Sequence, residues 1–182
     1  MATRAAYFTP SEAEILMEAY EEMVCNADYL ISNVVAKWPG PVHDSRVFQT
    51  SGIYQRLSQG EFSGVLLGDR GYACQPFLLT PYIDPQEAQQ AYNHAHARTR
   101  ARIEMTFGLL KARFHCLNHL RVSPLRVCDI TMACAVLHNV ACLRKERARR
   151  VPSHMDCDNP AIFPDDDSGR LVRDQYVLNY FS

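Results

Sequence analysis

Three common signatures of function are missing from this 182-residue sequence. It contains no C-x-x-C pair, no glycine-rich phosphate loop, and no nucleophile motif that joins Ser with His and Asp, or Cys with His. Its seven cysteines are odd in number, which disfavours a disulfide framework and a structural zinc site, so free thiols are expected. We also find no apolar run of transmembrane length and no signal-type segment at the start. A nuclear or cytosolic protein with no membrane partner is therefore expected.

Charge is unevenly distributed along a composition that is otherwise ordinary. Hydrophobic residues make up 47% and charged residues 21%, which is typical of a single globular domain of this length. The net charge is −1, yet residues 94–150 hold 12 Lys or Arg against 3 acids. This basic block favours a surface that faces a polyanion. A solvated helix face whose charges pair with acidic C-terminal residues is the alternative, and both stay open.

The hydrophobic periodicity and the turn signals predict a mixed α/β fold. A capping box at Thr9–Glu12 predicts a helix of roughly three turns that ends before Val24. Strands are predicted at 23–25, 31–38, 65–67 and 77–80. Further helices are predicted at 44–57, from residue 85 onwards, and from residue 123 onwards.

Apolar residues at helical spacing predict which helix faces are buried. In the long helix the predicted core stripe is Ile103, Phe107, Leu110 and Phe114. In the next helix the predicted core face is Ile130, Ala133, Val136, Leu137, Val140 and Leu143. A last short helix, capped by Asp167, would hold Leu171, Val172, Tyr176 and Leu178.

Two acids stand out as candidates for chemistry. Asp69 ends a buried strand between Gly68 and Gly71, and Glu104 lies beside the apolar stripe of the long helix. An acid at a strand end and another on a later helix can converge on a divalent metal and act on a phosphodiester. Arginines at 98, 100 and 102 would then face a phosphate backbone. Alternatively, Asp69 belongs to a turn and Glu104 pairs with neighbouring arginines, and the spacing itself favours this simpler interpretation.

The histidines do not complete a metal site. His115 and His119 have helical i, i+4 spacing, but nothing nearby completes a tetrahedral set, so structural roles are favoured. His94 and His96 would point to different helix faces and suit phosphate contact or solvation. His138 lies in an apolar helix, where a buried, hydrogen-bonded histidine is expected.

Four segments of the sequence resemble the PIF/Harbinger transposases, and most of all the Harbinger transposase-derived nucleases of vertebrates. The segments are Trp38–Arg46, Leu67–Tyr72, Arg102–Phe107 and Val136–Asn139. The resemblance runs from about Met23 to Arg147, roughly two-thirds of the chain, with the motifs in the same order.

This resemblance implies an RNase H-like fold and a triad of two aspartates and a glutamate that binds Mg²⁺ or Mn²⁺ and cuts DNA. Carried over by motif, Asp69 is the second acid and Glu104 the third, and both would ligate the metal. The resemblance also implies nuclear location, with the cytoplasm as an addition, and a Myb/SANT-like DNA-binding partner. Residues expected to contact nucleic acid are Arg98, Arg100, Arg102, Lys111 and Arg113.

The sequence departs from the family at its start. Relatives carry the first acid on an opening strand that is central in the sheet, and no such segment precedes Met23 here. Residues 1–22 resemble instead the start of a Myb/SANT-like domain. We therefore expect one helix at 1–22, a partial nuclease domain lacking its first central strand at 23–150, and an acidic tail with a short helix at 151–182.

The missing acid leaves three functions open. The chain is a metal-dependent endonuclease by resemblance, with an incomplete triad that impairs catalysis. The alternatives are a non-catalytic nuclear DNA-binding or protein-interaction relative, and an unstable fragment. The sequence does not decide the oligomeric state.

Overall fold

The computed structural model describes residues 4–7, 20–37, 44–62, 64–146 and 164–181. Three antiparallel strands form one sheet in the order β1-β2-β3: β1 Arg4–Tyr7, β2 Tyr20–Cys25 and β3 Ile31–Lys37. Two short parallel strands follow: β4 Leu66–Leu67 and β5 Leu78–Leu79. The helices are α1 Asp44–Gln49, α2 Gly52–Ser58, α3 Glu87–Arg113, α4 Pro124–Leu143 and α5 Asp167–Tyr180, with a 3-10 helix at His115–Asn118. The predicted mixed α/β class is confirmed.

Strand β2 is buried on both faces, so helices cover the sheet from two sides. Met23 and Cys25 belong to a core cluster with side chains of α3 and α4. Val24 points the other way, into a cluster formed by α1, α2, β4 and β5. Alternate residues of a strand point to opposite faces, which explains how one strand serves both cores.

A strand pairs with β2 on the side where the sequence predicted that the family's first central strand would be missing. Strand β1 pairs with β2 in antiparallel register from Arg4 opposite Cys25 to Tyr7 opposite Glu22. It also approaches β4, with Cα atoms within 8 Å. Without β1, the edge of β2 would leave a row of backbone N–H and C=O groups unpaired. The pairing with β1 therefore stabilises the sheet.

Residues 1–22 are not one helix, because Arg4–Tyr7 and the first residues of β2 are strands. The predicted capping box at Thr9–Glu12 lies outside the described residues. The hairpin that follows was predicted well: β2 and β3 are joined by a turn at 26–30, where Tyr29 adopts a positive φ of 62°. The domain boundaries themselves stay predictions.

The helix predicted at 44–57 is two helices with a break at Thr50 and Ser51. The Ser51 hydroxyl donates to the Phe48 carbonyl at 2.6 Å and accepts from the Tyr54 amide at 3.3 Å. One side chain thus ends α1 and caps α2, as serine does at helix N-termini. Gln59 is the C-cap of α2, and the following Gly60 has a φ of 73° that favours glycine.

Helix α3 buries the predicted stripe, but α4 does not. Ile103, Phe107 and Leu110 are 0–7% exposed. In α4 the predicted core residues Val136, Leu137 and Leu143 are 54–69% exposed. The buried face of α4 consists instead of smaller or polar residues, namely Val127, Thr131, Cys134, Ala135, His138 and Ala141.

The expectation that no segment has transmembrane length needs correction for α4. Residues Leu125–Leu143 form a helix long and apolar enough to cross a membrane, with a mean hydropathy of 1.3. The same helix packs on β3 and α3. It also hydrogen-bonds the β2–β3 turn and the first residue of β3 through His138 and Asn139, as a helix of a folded domain does.

The C-terminal segment packs on the domain through α5. Its N-cap is Asp166, which accepts from the Ser168 amide at 3.0 Å, and not the predicted Asp167. The buried residues of α5 are Gly169, Arg173 and Val177, whereas Leu171 is 71% exposed. A Cβ at Gly169 would lie 2.4 Å from the Cys74 carbonyl oxygen, so glycine permits this close approach.

Candidate active site

Asp69 is presented by the end of strand β4. The Gly68 amide donates to the Leu79 carbonyl at 3.0 Å, which pairs β4 with β5 up to the residue before the acid. Asp69 then leaves the sheet in a turn in which its own Oδ1 accepts from the Gly71 amide at 2.8 Å. Aspartate favours such turns because its short side chain can bond the backbone two residues on. The second carboxylate oxygen carries no hydrogen bond among those described.

Helix α3 places Glu104 near enough to Asp69 for the two charges to interact. His96, Arg100 and Glu104 are spaced by four residues and therefore lie along one helix face. The buried His96 contacts the Leu79 carbonyl through Nε2 at 3.2 Å, next to the end of β4. The predicted solvation or phosphate contact of His96 was wrong, while His94 is exposed. The four-residue spacing of His96, Arg100 and Glu104 was the sequence signal that could have revealed this face.

The two acids influence each other electrostatically. Burial is the main cause that raises the pKa of Asp69, and the charge of Glu104 adds to the rise. The Gly71 hydrogen bond and the Arg100 guanidinium act in the opposite direction. Asp69 therefore lies near Arg100 and Glu104 of α3, and its carboxyl group holds its proton more tightly than that of an exposed aspartate.

Arg100 already has a partner at this site. Its Nη2 lies 2.6 Å from Oε1 of Glu104, and both side chains are partly buried at 26% and 38% exposure. Glu104 therefore pairs with a neighbouring arginine, as the simpler interpretation of the sequence predicted. It also lies near enough to Asp69 to affect the pKa of that acid. The site consists of a buried aspartate, a glutamate and the Arg100 guanidinium, whose positive charge acts on both acids.

No third acid joins the pair within the described residues, where no group of three His, Cys, Asp or Glu could hold a metal. Strand β1, which pairs with β2 and approaches β4, has the sequence Arg-Ala-Ala-Tyr and contains no carboxylate. Asp28 is exposed in the β2–β3 turn. The side chain of Asp44 lies outside the described residues.

Helix α5 holds the loop that follows Asp69. Asp165 Oδ1 accepts from the Cys74 amide, and the Asp166 amide donates to the Cys74 carbonyl, each at 3.0 Å. Arg173 donates to the Thr80 carbonyl at 3.2 Å and to Asp165 at 3.0 Å. The predicted acidic tail therefore includes a structural support for the acid-bearing loop, which the sequence did not indicate.

The predicted nucleic-acid contacts do not share one surface. Arg98 and Arg102 are exposed, but Arg102 stacks over the Tyr29 ring at 5.2 Å from its centroid and donates to the Tyr29 hydroxyl. Arg113 donates to the His138 carbonyl at 3.3 Å and to the Glu146 carbonyl at 3.2 Å, so it ties α3 to α4. Lys111 is partly buried. Their contact with DNA stays a prediction.

The His138-Asn139 motif has a structural role. His138 is buried, and its Nε2 donates to the Tyr29 carbonyl at 2.9 Å, as expected for a hydrogen-bonded core histidine. Asn139 accepts from the Ile31 amide and donates to the Ile31 carbonyl, both at 2.8 Å. The motif thus holds α4 against the start of β3.

An acid at the end of a strand, a second acid on the following long helix and a mixed α/β framework define a candidate phosphodiester-cleaving domain. The chain matches the family described as DDE superfamily endonuclease over residues 21–139. This match covers more than half of the sequence, and the chain belongs to that family. The predicted kinship with Harbinger-type transposase-derived nucleases is confirmed.

The relatives are longer proteins. The human protein named Putative nuclease HARBI1 is 36% identical over 125 residues, which cover 65% of this chain and 36% of that protein. Its mouse counterpart is 31% identical over 172 residues, covering 88% and 49%. Protein ALP1-like of Arabidopsis thaliana is 28% identical over 137 residues, covering 65% and 34%. The chain thus spans between a third and a half of these relatives. No solved structure matches it.

Proposed function

We propose that the chain is a nuclear, transposase-derived DNA-binding protein of the DDE endonuclease family, with cleavage of the phosphodiester backbone strongly impaired. The observation that carries this proposal is the convergence of Asp69 and Glu104 at the end of β4 without a third acid among the described residues. The pair supports descent from a metal-dependent nuclease. The acid-free sequence of β1 supports the loss of efficient catalysis.

The arrangement of strands supports an RNase H-like origin for the fold. By pairing and proximity the described strands follow the order β3-β2-β1-β4-β5, with β1 antiparallel to β2 and β4 parallel to β5. In the implied fold the opening strand is central and carries the first acid. Strand β1, Arg4–Tyr7, lies between β2 and β4 and has no carboxylate, which supports the proposal of such a framework without its first acid.

The donor set of the site suits one hard cation. Magnesium is commonly bound through one or two carboxylates, with waters and substrate phosphates completing its octahedron. Asp69 and Glu104 supply two carboxylates, and one oxygen of Asp69 is committed to the Gly71 amide. Two ions that share a scissile phosphate need more carboxylate ligands than this pair provides.

Asp69 and Glu104 would hold Mg²⁺ or Mn²⁺, and the bound ion would supply positive charge for a DNA phosphate and lower the pKa of a water ligand. Without the ion, Arg100 neutralises Glu104 through their 2.6 Å contact. Ion binding therefore competes with this ion pair. Asp69 must also lose its proton, so ion affinity should rise as the pH rises through the elevated pKa of its carboxyl group.

A comparison of DNA binding and DNA cleavage tests the proposal. Binding of a fluorescent duplex and nicking of supercoiled DNA would be measured with Mn²⁺, Mg²⁺ or a chelator for the native chain, Asp69→Asn and Glu104→Gln. We expect binding that weakens with salt, a gain in affinity with Mn²⁺ that both variants lose, and nicking near the background rate. Asp84→Asn and Glu87→Gln are matched controls, because both of these acids are exposed.

Two results would contradict the proposal. Rapid metal-dependent nicking that disappears in Asp69→Asn and Glu104→Gln, but not in the controls, would show an intact nuclease. DNA binding that is absent at low salt would remove the nucleic-acid function altogether.

Location and partnership extend the same proposal. We infer a nuclear address and association with a Myb/SANT-like DNA-binding protein from the family resemblance. The support within the chain is the basic segment 94–150, which suits a polyanion or a protein bound to one. Imaging of the tagged chain in cells and co-purification with such a partner would test both.

A further inference from the structure

Helix α4 presents a broad apolar surface to solvent. Six large apolar side chains on this surface are 39–77% exposed: Leu125, Met132, Val136, Leu137, Val140 and Leu143. Scattered exposed leucines are ordinary, but a continuous apolar helix face is typical of a binding surface. We call these six residues, together with Ala133, the outer face of α4.

The outer face lies opposite the buried face of the same helix. At 100° per residue, Val136 and Val140 project in nearly the same direction, while Thr131 and His138 project in roughly the opposite direction. Thr131 and His138 are both 0% exposed. The helix therefore buries its more polar side and exposes its more apolar one.

Hydrogen bonds fix this orientation. His138 donates to the Tyr29 carbonyl at 2.9 Å, and Asn139 makes two bonds of 2.8 Å to Ile31. Rolling α4 to hide its outer face would break all three bonds and leave buried polar groups unpaired, which opposes such a movement. The outer face is thus a fixed part of the described fold.

We propose that the outer face of α4 binds the same face of a second copy of this chain, with the two helices antiparallel and the two-fold axis midway between Val136 and Leu137. Contact through the same patch on both subunits is the usual geometry of a two-fold homodimer. The proposed dimer is independent of whether the site at Asp69 binds metal or DNA.

The charges on this face favour a second copy as the occupant. Asp129 and Arg144 are exposed and are equidistant from the proposed axis, each about 11 Å away at 1.5 Å per residue. An antiparallel pair therefore places Asp129 at the level of the partner's Arg144, and does so twice. Asp129 also lies one turn from its own Arg126.

The apolar residues follow the same symmetry. Ala133 and Val140 are equidistant from the axis, so the small side chain of one copy meets the larger side chain of the other. A parallel pair would instead place Asp129 against Asp129 and Arg144 against Arg144, and like charges oppose association. The pattern therefore selects the antiparallel arrangement.

A glutamate in the middle of the outer face tests the location of the interface. Molar mass in solution would be measured over a wide concentration range for the full chain and for Leu137→Glu. We expect a dimer for the native chain and a monomer for the variant, because association would bury the new charge without a partner. Leu171→Glu is the matched control, since this leucine is 71% exposed on α5, and it should remain dimeric.

Exchange of charges tests the antiparallel register. Asp129→Arg places two arginines together at each end of the interface, and Arg144→Asp places two acids together, so each variant should dimerise at least tenfold more weakly. An equimolar mixture of the two variants restores opposite charges at both ends and should form a heterodimer. Unchanged thermal unfolding of the monomers would show that both variants fold.

Several outcomes would overturn the proposal. These are a native chain that stays monomeric at all concentrations, or a dimer that persists in Leu137→Glu. If the Asp129→Arg and Arg144→Asp variants fail to associate when mixed, the antiparallel register is wrong.

Discussion

The two long helices of this domain differ in which of their side chains are buried. Helix α3 is rich in charged and polar residues, yet it buries its large apolar side chains Ile103, Phe107 and Leu110. Helix α4 is much more apolar, yet it buries Thr131 and His138 and exposes most of its large apolar side chains. Both helices cover the same face of the three-stranded sheet, where Met23 and Cys25 contact them.

The difference shows that burial in α4 is decided by fit and hydrogen bonding. Cys134 and Ala135 are small enough to let the helix approach the sheet closely, and Asn139 bonds both backbone groups of Ile31. Large leucines on that side would hold the helix away from β3 and break those bonds. Helix α3 lies where long apolar side chains can fill the space, and it buries Ile103, Phe107 and Leu110 there in addition to the polar residues His96 and Thr106.

The largest expected difference in stability is between alanine variants of two leucines that the sequence predicts to be buried alike. Leu110→Ala in α3 should lower the free energy of unfolding by about 2–5 kcal/mol, because this side chain is 2% exposed. Leu143→Ala in α4 should change it by about 0.5 kcal/mol or less, because this side chain is 69% exposed. Urea unfolding at low protein concentration measures both. Equal losses would refute the contrast between the helices.

A smaller effect should separate a polar residue of α4 from its apolar neighbour. Asn139→Ala leaves the Ile31 amide and carbonyl without their partner and should cost about 1–3 kcal/mol. Val140→Ala removes a side chain that is 39% exposed and should cost less. If the valine variant proves the less stable in urea unfolding, hydrogen bonding does not decide how α4 is buried.

The third effect appears only at acidic pH and concerns His96, a buried polar residue of α3. Burial lowers the pKa of His96 to about 4. As the pH falls from about 6.5 towards 4, the unfolded chain gains a proton at this residue and the folded chain does not. The stability that His96 contributes is therefore complete above pH 6.5 and is lost in this acid window.

His96→Gln removes that proton and should reduce the acid-induced loss of stability by on the order of 2 kcal/mol between neutral pH and about pH 5. His94→Gln, on the exposed side of the same helix, is the matched control. Urea midpoints at the two pH values give the comparison. Identical profiles for both variants would show that His96 takes up protons freely in the folded state.

Local signals predicted much of the fold. The β2–β3 hairpin, the short buried strands, the long helix and its core stripe follow from turn residues and periodicity, which act over a few residues. The break at Ser51 was missed because its cause is one side chain that bonds both neighbouring turns. Strand β1 was missed because its pairing with β2 depends on residues far apart in the sequence, and the local pattern there favours a helix.

The candidate site was also predictable from local motifs but not in its contacts between distant residues. Asp69 and Glu104 could be chosen from their motifs, and their convergence depends on how α3 packs against the ends of β4 and β5. The spacing of His96 indicates the helix face that it shares with Glu104. The backbone carbonyls near β5 that His96 and Arg173 contact could not be predicted. A sequence pattern does not reveal which distant carbonyl a buried side chain will reach.

The contact of α5 with the loop after Asp69 has a consequence for the order of folding. Asp165 bonds the backbone of Cys74 across a separation of 91 residues. Until the segment that contains Asp165 docks, the loop beside the acid pair lacks this restraint. Contacts between distant residues also form slowly, since a long loop must close first. The arrangement of Asp69 should therefore be completed late in folding, after the long loop between Cys74 and Asp165 has closed.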